Sequence, residues 1–163
     1  MEFQLKCNQR GSKPERNISD PELTTAGYTP FNIAVVNGKL YVTYALYNPT
    51  TFSPMAGLGN GYIDAFDPTG KLLQRLVNRG PLNAPWGIVD SIAKNAIFVS
   101  NYGDGIVNVF NRTTGEFLGS LKDKHGNTIT NDGLLGLAGD EKQIFFAAGI
   151  NGGKDGLFGK MIK

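Results

Sequence analysis

Short apolar runs separated by glycine-rich turns follow one another along most of the chain. In YIDAF (62–66) and IVNVF (106–110), apolar and polar side chains alternate, which is typical of a β-strand with one face more buried than the other. Val, Ile, Phe and Tyr dominate these runs and favour strands. Nothing in the sequence has the period of a long amphipathic helix. The pattern therefore predicts an all-β chain.

The turns between the runs predict hairpins. Asn37-Gly38 and Asp104-Gly105 each favour a type I′ turn, because both central positions of that turn need a positive φ. Glycine accounts for 22 of the 163 residues, which is about twice its usual share. This excess agrees with a chain of many short strands and tight turns.

A pattern of four strands repeats with a period of about 45 residues, which is typical of a β-propeller blade. The predicted blades are 30–77, 85–122 and 132–162, and the third has only three runs. We therefore predict a partial β-propeller of about three four-stranded antiparallel blades, half of a six-bladed ring, over residues 28–163. Residues 1–27 are predicted to be an N-terminal extension with room for part of a preceding outer strand. An ordinary β-meander or sandwich is the alternative.

A propeller needs roughly four to eight blades, so about three blades would leave two blade faces uncovered. Three arrangements would resolve this. Two chains close a six-bladed ring as a homodimer, another protein covers the half ring, or the chain is a truncated copy of a longer propeller. The partner expected from the sequence is therefore a second copy or another protein.

The segments TPFNIAVVNGKLYVTYA, NYGDGIVNVFNRTTGEFLGSL, DGLLGLAG and GLFGKMI, with SDPEL ahead of the first, resemble a family of uncharacterised six-bladed, NHL-like propeller proteins. The resemblance covers residues 17–162. It implies the fold and no activity, since none is established for the family. Its members, known chiefly from bacteria, are about twice as long, carry further blades upstream and are often secreted. By this resemblance, we expect the chain to depart from the family in lacking those blades and a signal peptide.

Charge and composition narrow the classes of partner. The net charge is +2 and the basic residues are scattered, which argues against nucleic acid or an anionic membrane as a partner. Glu2, Lys6 and Arg10 stand where a signal peptide would be apolar, and no run is long enough to span a membrane. We therefore expect a soluble chain that is either intracellular or truncated.

Histidine and cysteine chemistry has little support. His125 is the only histidine and lies in a polar turn, and Cys7 is the only cysteine, in a charged N-terminal segment. A zinc site needs several such ligands, and a cysteine nucleophile needs a nearby base. We interpret both residues as incidental and predict no cofactor, with Ca²⁺ as the single ion to consider.

Oxygen-bearing side chains near the ends of the predicted inner strands are the candidate ligand or Ca²⁺ site. They are Asn32, Asn101, Asp104, Asn131 and Asp132. Ca²⁺ takes six to eight oxygen ligands, and some propeller hydrolases of the gluconolactonase kind hold it in the central channel. The competing interpretation is that Asp and Asn stand there because turns favour them.

Aromatic residues and a methionine are the candidate interaction residues. Tyr47, Phe52 and Met55 fall in the longest connection, and Trp86 follows the proline that opens the second unit, as Phe31 does in the first. The alternative is that they cover a blade or line the channel. We predict a non-catalytic binding or structural module that self-associates. A Ca²⁺-dependent propeller hydrolase and a non-functional fragment are the alternatives.

Overall fold

Three antiparallel sheets make up most of the described part of the chain, and in each the strand order follows the chain. The computed structural model describes residues 20–91, 94–140 and 143–162. The first sheet contains β1 (Tyr28–Val36), β2 (Lys39–Asn48), the short β3 (Ser53–Pro54) beside β2, β4 (Gly61–Phe66) and β5 (Leu72–Asn78). The second contains β6 (Pro85–Ser91), β7 (Ala96–Asn101), β8 (Val107–Asn111) and β9 (Phe117–Ser120). The third contains β10 (Leu134–Gly139), β11 (Gln143–Gly149) and β12 (Asp155–Ile162). The all-β prediction is confirmed.

Two short helical segments accompany the sheets. Helix α1 (Pro21–Thr25) precedes β1, and Asp20 caps it by accepting a hydrogen bond from the Leu23 amide at 3.0 Å. Segment α2 (Ile150–Gly153) joins β11 to β12 and contains left-handed residues. Residues 21–25 are thus helical and not part of an outer strand, while residues 1–19 lie outside the described ranges. Within those ranges, no helix has the length and apolar character needed to cross a membrane.

The sheets are stacked, with β6 in contact with β1 on one side and β10 on the other. Apolar clusters fill both junctions, with Ile63, Ile97 and Phe110 between the first and second sheets. Val89, Phe98 and Phe146 contribute to the cluster between the second and third. The second sheet is therefore covered on both faces.

The expectation that the alternating runs have one more buried face is wrong for β4. All six of its residues are buried, and the side chain of Asp64 is 0% exposed. Asn108, the polar member of the second alternating run, is also buried. The physical reason is position. The second sheet covers one face of β4, and α1 with Arg75 covers the other, whereas Asn108 lies in the second sheet between two neighbouring sheets. Even the polar side chains of these strands therefore lose water.

The two predicted hairpin turns differ. Asn37 and Gly38 have φ of 49° and 72°, as a type I′ turn requires. Of the second pair only Gly105 has a positive φ, 71°, so the type I′ prediction is wrong there. The Asp104 side chain instead accepts a hydrogen bond from the Ile106 amide at 3.1 Å, and a Cβ on Gly105 would lie 2.2 Å from the Asn131 carbonyl oxygen. Glycine is needed at this position because the two loops approach so closely.

Candidate functional site

The first strand of each sheet has an irregularity at an equivalent place. The antiparallel register shifts between Pro30 and Asn32 in β1 and between Pro85 and Ile88 in β6. It shifts again in β10, between Leu134 and Leu137. A β-bulge leaves a residue outside the ladder of its own sheet, so its backbone groups are available to a neighbouring one.

Hydroxyl groups of the second strands bind these bulges. Thr43 in β2 donates to the Trp86 carbonyl of the second sheet at 3.1 Å. Ser100, at the equivalent place in β7, donates to the Leu135 carbonyl of the third sheet at 2.5 Å and accepts from the Gly87 amide at 2.7 Å. The same polar contact therefore joins both pairs of neighbouring sheets.

Trp86, a predicted interaction residue, lies at the first of these junctions. Its ring meets that of Phe31 edge-to-face, with centroids 4.7 Å apart and planes at 62°. The two residues that directly follow Pro30 and Pro85 thus contact each other across neighbouring sheets. Both are half-buried, and the role of Trp86 as a contact residue stays a prediction.

Asn101 and Asp104, two of the predicted ligand residues, belong to a hydrogen-bonded network. The Asp104 Oδ2 accepts from the side-chain amides of Asn83 at 3.1 Å and Asn101 at 3.2 Å. Asn101 is fully buried and also donates to the Pro81 carbonyl at 2.8 Å. Because the Asp104 Oδ1 accepts from the Ile106 amide, both oxygens of that carboxylate are engaged in holding loops together.

The other predicted ligand residues are distributed unevenly. Asn131 joins this neighbourhood, since its backbone amide donates to the Gly105 carbonyl at 2.9 Å. Its side-chain nitrogen and the Oδ1 of Asn101 are buried without a hydrogen-bond partner. Asp132 is exposed, and Asn32 lies along β1, where its side chain accepts from the Ile33 amide at 2.8 Å. Among the described residues, the hydrogen bonds of Asn32 are to Ile33 and Thr43 and do not reach the other four.

A Ca²⁺ site at these residues stays a prediction. Within 20–91, 94–140 and 143–162, the structure gathers no group of three His, Cys, Asp or Glu side chains that would hold a metal ion. His125 is exposed, and its backbone amide donates to Asp123 within a turn. Cys7 lies outside the described residues.

The long connection after β2 presents its side chains to solvent. Phe52 is 79% exposed with a φ of 53°, and Met55 is also exposed. Tyr47 is half-buried and pairs with Pro54 through the short strand β3. Phe52 and Met55 are therefore accessible, and their role as contact residues stays a prediction.

A cluster of charges under α1 was not predicted from the sequence. Arg75 in β5 forms ion pairs with Asp20, with Glu22 at 3.1 Å and with the buried Asp64 at 3.4 Å. Burial, and then the neighbouring Asp20, raise the pKa of Asp64 to about 7. Burial also acts to raise the pKa of Asp20, but the hydrogen bond from the Leu23 amide and the contact with Arg75 hold that pKa below its ordinary value. No sequence motif marks this cluster, because its members are far apart along the chain.

The stack ends in two outer faces, which we define by three residues each. The leading face, on the side of the first sheet away from the second, carries Ile33, Val35 and Val42. The trailing face, on the side of the third sheet away from the second, carries Phe145, Ala147 and Phe158. Part of the leading face is covered by α1 through Leu23, and the rest forms an open groove of about 390 Å³.

The chain is similar to three viral proteins that are described as uncharacterised. No family model matches the chain. An uncharacterised protein of Acanthamoeba polyphaga mimivirus is 36% identical over 156 residues, which cover 90% of this chain and 38% of the relative. A second from the same virus is 33% identical over 154 residues, covering 89% and 40%, and a third is 32% identical over 116 residues, covering 68% and 22%. The chain thus spans about two fifths of the length of the first two relatives, at 38% and 40%.

Proposed function

We propose that the three sheets are consecutive blades of an NHL-like β-propeller and that the chain is a non-catalytic binding or structural module. In this proposal the module self-associates, and a second copy supplies the blades that complete the ring. Three features support it: the strand order within each sheet, the row formed by β1, β6 and β10, and the hydroxyl contact repeated at both junctions.

One observation carries the proposal. Ile88 in the second sheet is 7% exposed because the first sheet covers it, whereas Ile33, its equivalent in the first sheet, is 56% exposed. The sequence thus places an apolar residue where a neighbouring sheet is expected, and among residues 20–91, 94–140 and 143–162 no further sheet covers Ile33. Repeat proteins with uncovered terminal faces associate, because stacking removes apolar surface from water.

The length of the viral relatives supports the same proposal. Nearly the whole chain aligns with two of them, yet the alignment accounts for only 38% and 40% of their length. In these longer proteins the additional sequence is available to form further blades on the two outer faces. In an assembly of the 163-residue chain, we propose that a second copy takes that place.

The mass in solution tests the proposal. Light scattering on a sizing column, over a wide range of protein concentration, should give a mass near twice 17.6 kDa. The expected particle is a closed dimer, since two half rings with matching faces leave no free end. A mass of 17.6 kDa at every concentration would contradict self-association.

A further inference from the structure

We propose that the trailing face of one copy docks on the leading face of another, with Phe158 entering the groove beside Ile33. The contact between copies is then head-to-tail and repeats the contact between neighbouring sheets within the chain. The inference rests on the proposed self-association and names the surfaces that carry it.

The internal junctions show what such a contact looks like. At the first, Thr43 of β2 faces the Trp86 bulge of the next sheet, and at the second, Ser100 of β7 faces the Leu135 bulge. In both, the second strand of one sheet meets the first strand of the following one. Of the three described sheets, the third has no described sheet after it, and its equivalent strand is β11. The first has no described sheet before it, and its equivalent bulge is at Phe31 in β1.

The groove on the leading face has the composition of a contact surface. It is lined by Pro30, Phe31, Asn32, Ile33, Val42 and Tyr44, which are apolar except for Asn32 and the Tyr44 hydroxyl. The Asn32 Oδ1 already accepts a hydrogen bond from the Ile33 amide at 2.8 Å. An apolar side chain can enter such a groove with little loss of polar hydration.

The trailing face offers a matching projection. The rings of Phe145 and Phe158 are stacked with centroids 6.1 Å apart and planes within 4°. Phe158 is 75% exposed, and the neighbouring Ala147 is exposed as well. Phe98, the equivalent of Phe145 in the second sheet, is buried against the third sheet, so a phenylalanine at this place already packs on a following sheet within the chain.

One difference distinguishes the contact between copies from the internal ones. Ala147 stands at the position of Thr43 and Ser100, so the trailing face has no hydroxyl to donate to the Phe31 bulge of the next copy. The contact between copies is therefore weaker than an internal junction. Two such contacts form in a closed dimer, one at each pair of faces.

Two charge substitutions test the pairing of the faces. Ile33→Asp and Phe158→Lys should each weaken dimerisation by more than about 100-fold, because each buries an unpaired charge in an apolar contact. Leu118→Asp, on the exposed part of β9, is the matched control and should keep the wild-type dimer. An equimolar mixture of the two variants should again form dimers. One contact is then wild-type, and the other sets the introduced carboxylate of one copy opposite the introduced ammonium group of its partner.

The substitution Ala147→Ser tests the alignment of the strands. It supplies the missing hydroxyl and should tighten dimerisation by about 5-fold per contact, as expected for one additional hydrogen bond. Sedimentation equilibrium measures all of these constants, and circular dichroism checks that each variant is folded.

The outcomes separate the two proposals. A monomeric wild type overturns both self-association and the head-to-tail contact. A dimeric wild type that Phe158→Lys leaves intact, or variants that fail to pair when mixed, overturns the head-to-tail contact alone. Loss of the dimer with Ile33→Asp but not with Phe158→Lys would indicate that two leading faces meet. Unchanged affinity in Ala147→Ser would overturn the proposed strand alignment.

Discussion

The second sheet and the outer sheets carry the same pattern of apolar residues but differ in what covers it. Phe98 in the second sheet is buried against the third, whereas Phe145, at the equivalent place in the third sheet, is only half-buried and stacks on an exposed ring. The repeat therefore places an apolar side chain at each site, and the neighbouring sheet decides how much water that side chain loses.

The largest expected effect comes from truncating this pair of phenylalanines. Phe98→Ala should lower the free energy of unfolding by about 3–5 kcal/mol, because it leaves a cavity between two sheets. Phe145→Ala should cost about 1 kcal/mol in the monomeric chain, since much of that ring stays in contact with water. Urea denaturation of dilute protein measures both values. Equal losses at the two positions would mean that the third sheet is covered in solution by something other than a second copy.

A smaller effect should come from the hydroxyl at the junction. Ser100→Ala leaves the Gly87 amide and the Leu135 carbonyl without this partner in a buried place and should cost about 1–3 kcal/mol. Ser53→Ala is the control, because its hydroxyl meets Thr51 in an exposed loop where water replaces the bond. Urea unfolding of both variants gives the comparison. If Ser100→Ala lowers the free energy of unfolding no more than Ser53→Ala does, the Ser100 hydroxyl does not contribute to holding the sheets together.

Much of the strand framework could be predicted from the sequence, because hairpins are local. The NG turn, the first strands of the two units that contain Pro30 and Pro85, and the three-strand third unit all depend on residues close together in the chain. Even the contact between Phe31 and Trp86 has a sequence signal, since each residue directly follows the proline of its first strand. The hydroxyls of Thr43 and Ser100 also occupy equivalent places, so aligning the repeats with attention to small polar residues would have indicated them.

The stacking of the sheets could not be predicted in the same way. The alternating pattern around Asp64 indicates a strand, but it does not show that a helix and an arginine cover the polar side. The turn at Asp104 likewise depends on the loop that carries Asn131, which packs against Gly105 from the next unit. Both features result from contacts between distant segments, and a turn or strand pattern contains no information on them.

The smallest expected effect is on the pH dependence of stability. It concerns the part of the leading face that α1 covers, where the charged cluster lies, in contrast to the open groove beside it. Because the pKa of Asp64 is raised to about 7 from an ordinary 3.8, the folded chain binds more protons than the unfolded chain between these values. The contribution of Asp64 to stability is therefore complete below about pH 4 and falls as the pH rises to 7. Asp20, whose pKa is lowered, acts in the opposite direction and below pH 3.8, so the two windows are separate.

Asp64→Asn should remove this fall, because the amide cannot lose a proton. Urea unfolding of the wild type between pH 4.5 and 7.5 should then show a decline in stability that the variant lacks. Asp132→Asn, on an exposed loop, is the control and should keep the wild-type decline. Parallel pH profiles for the wild type and Asp64→Asn would mean that Arg75 keeps Asp64 charged throughout. In that case Asp64 would stay the charged partner of Arg75 over the whole pH range measured.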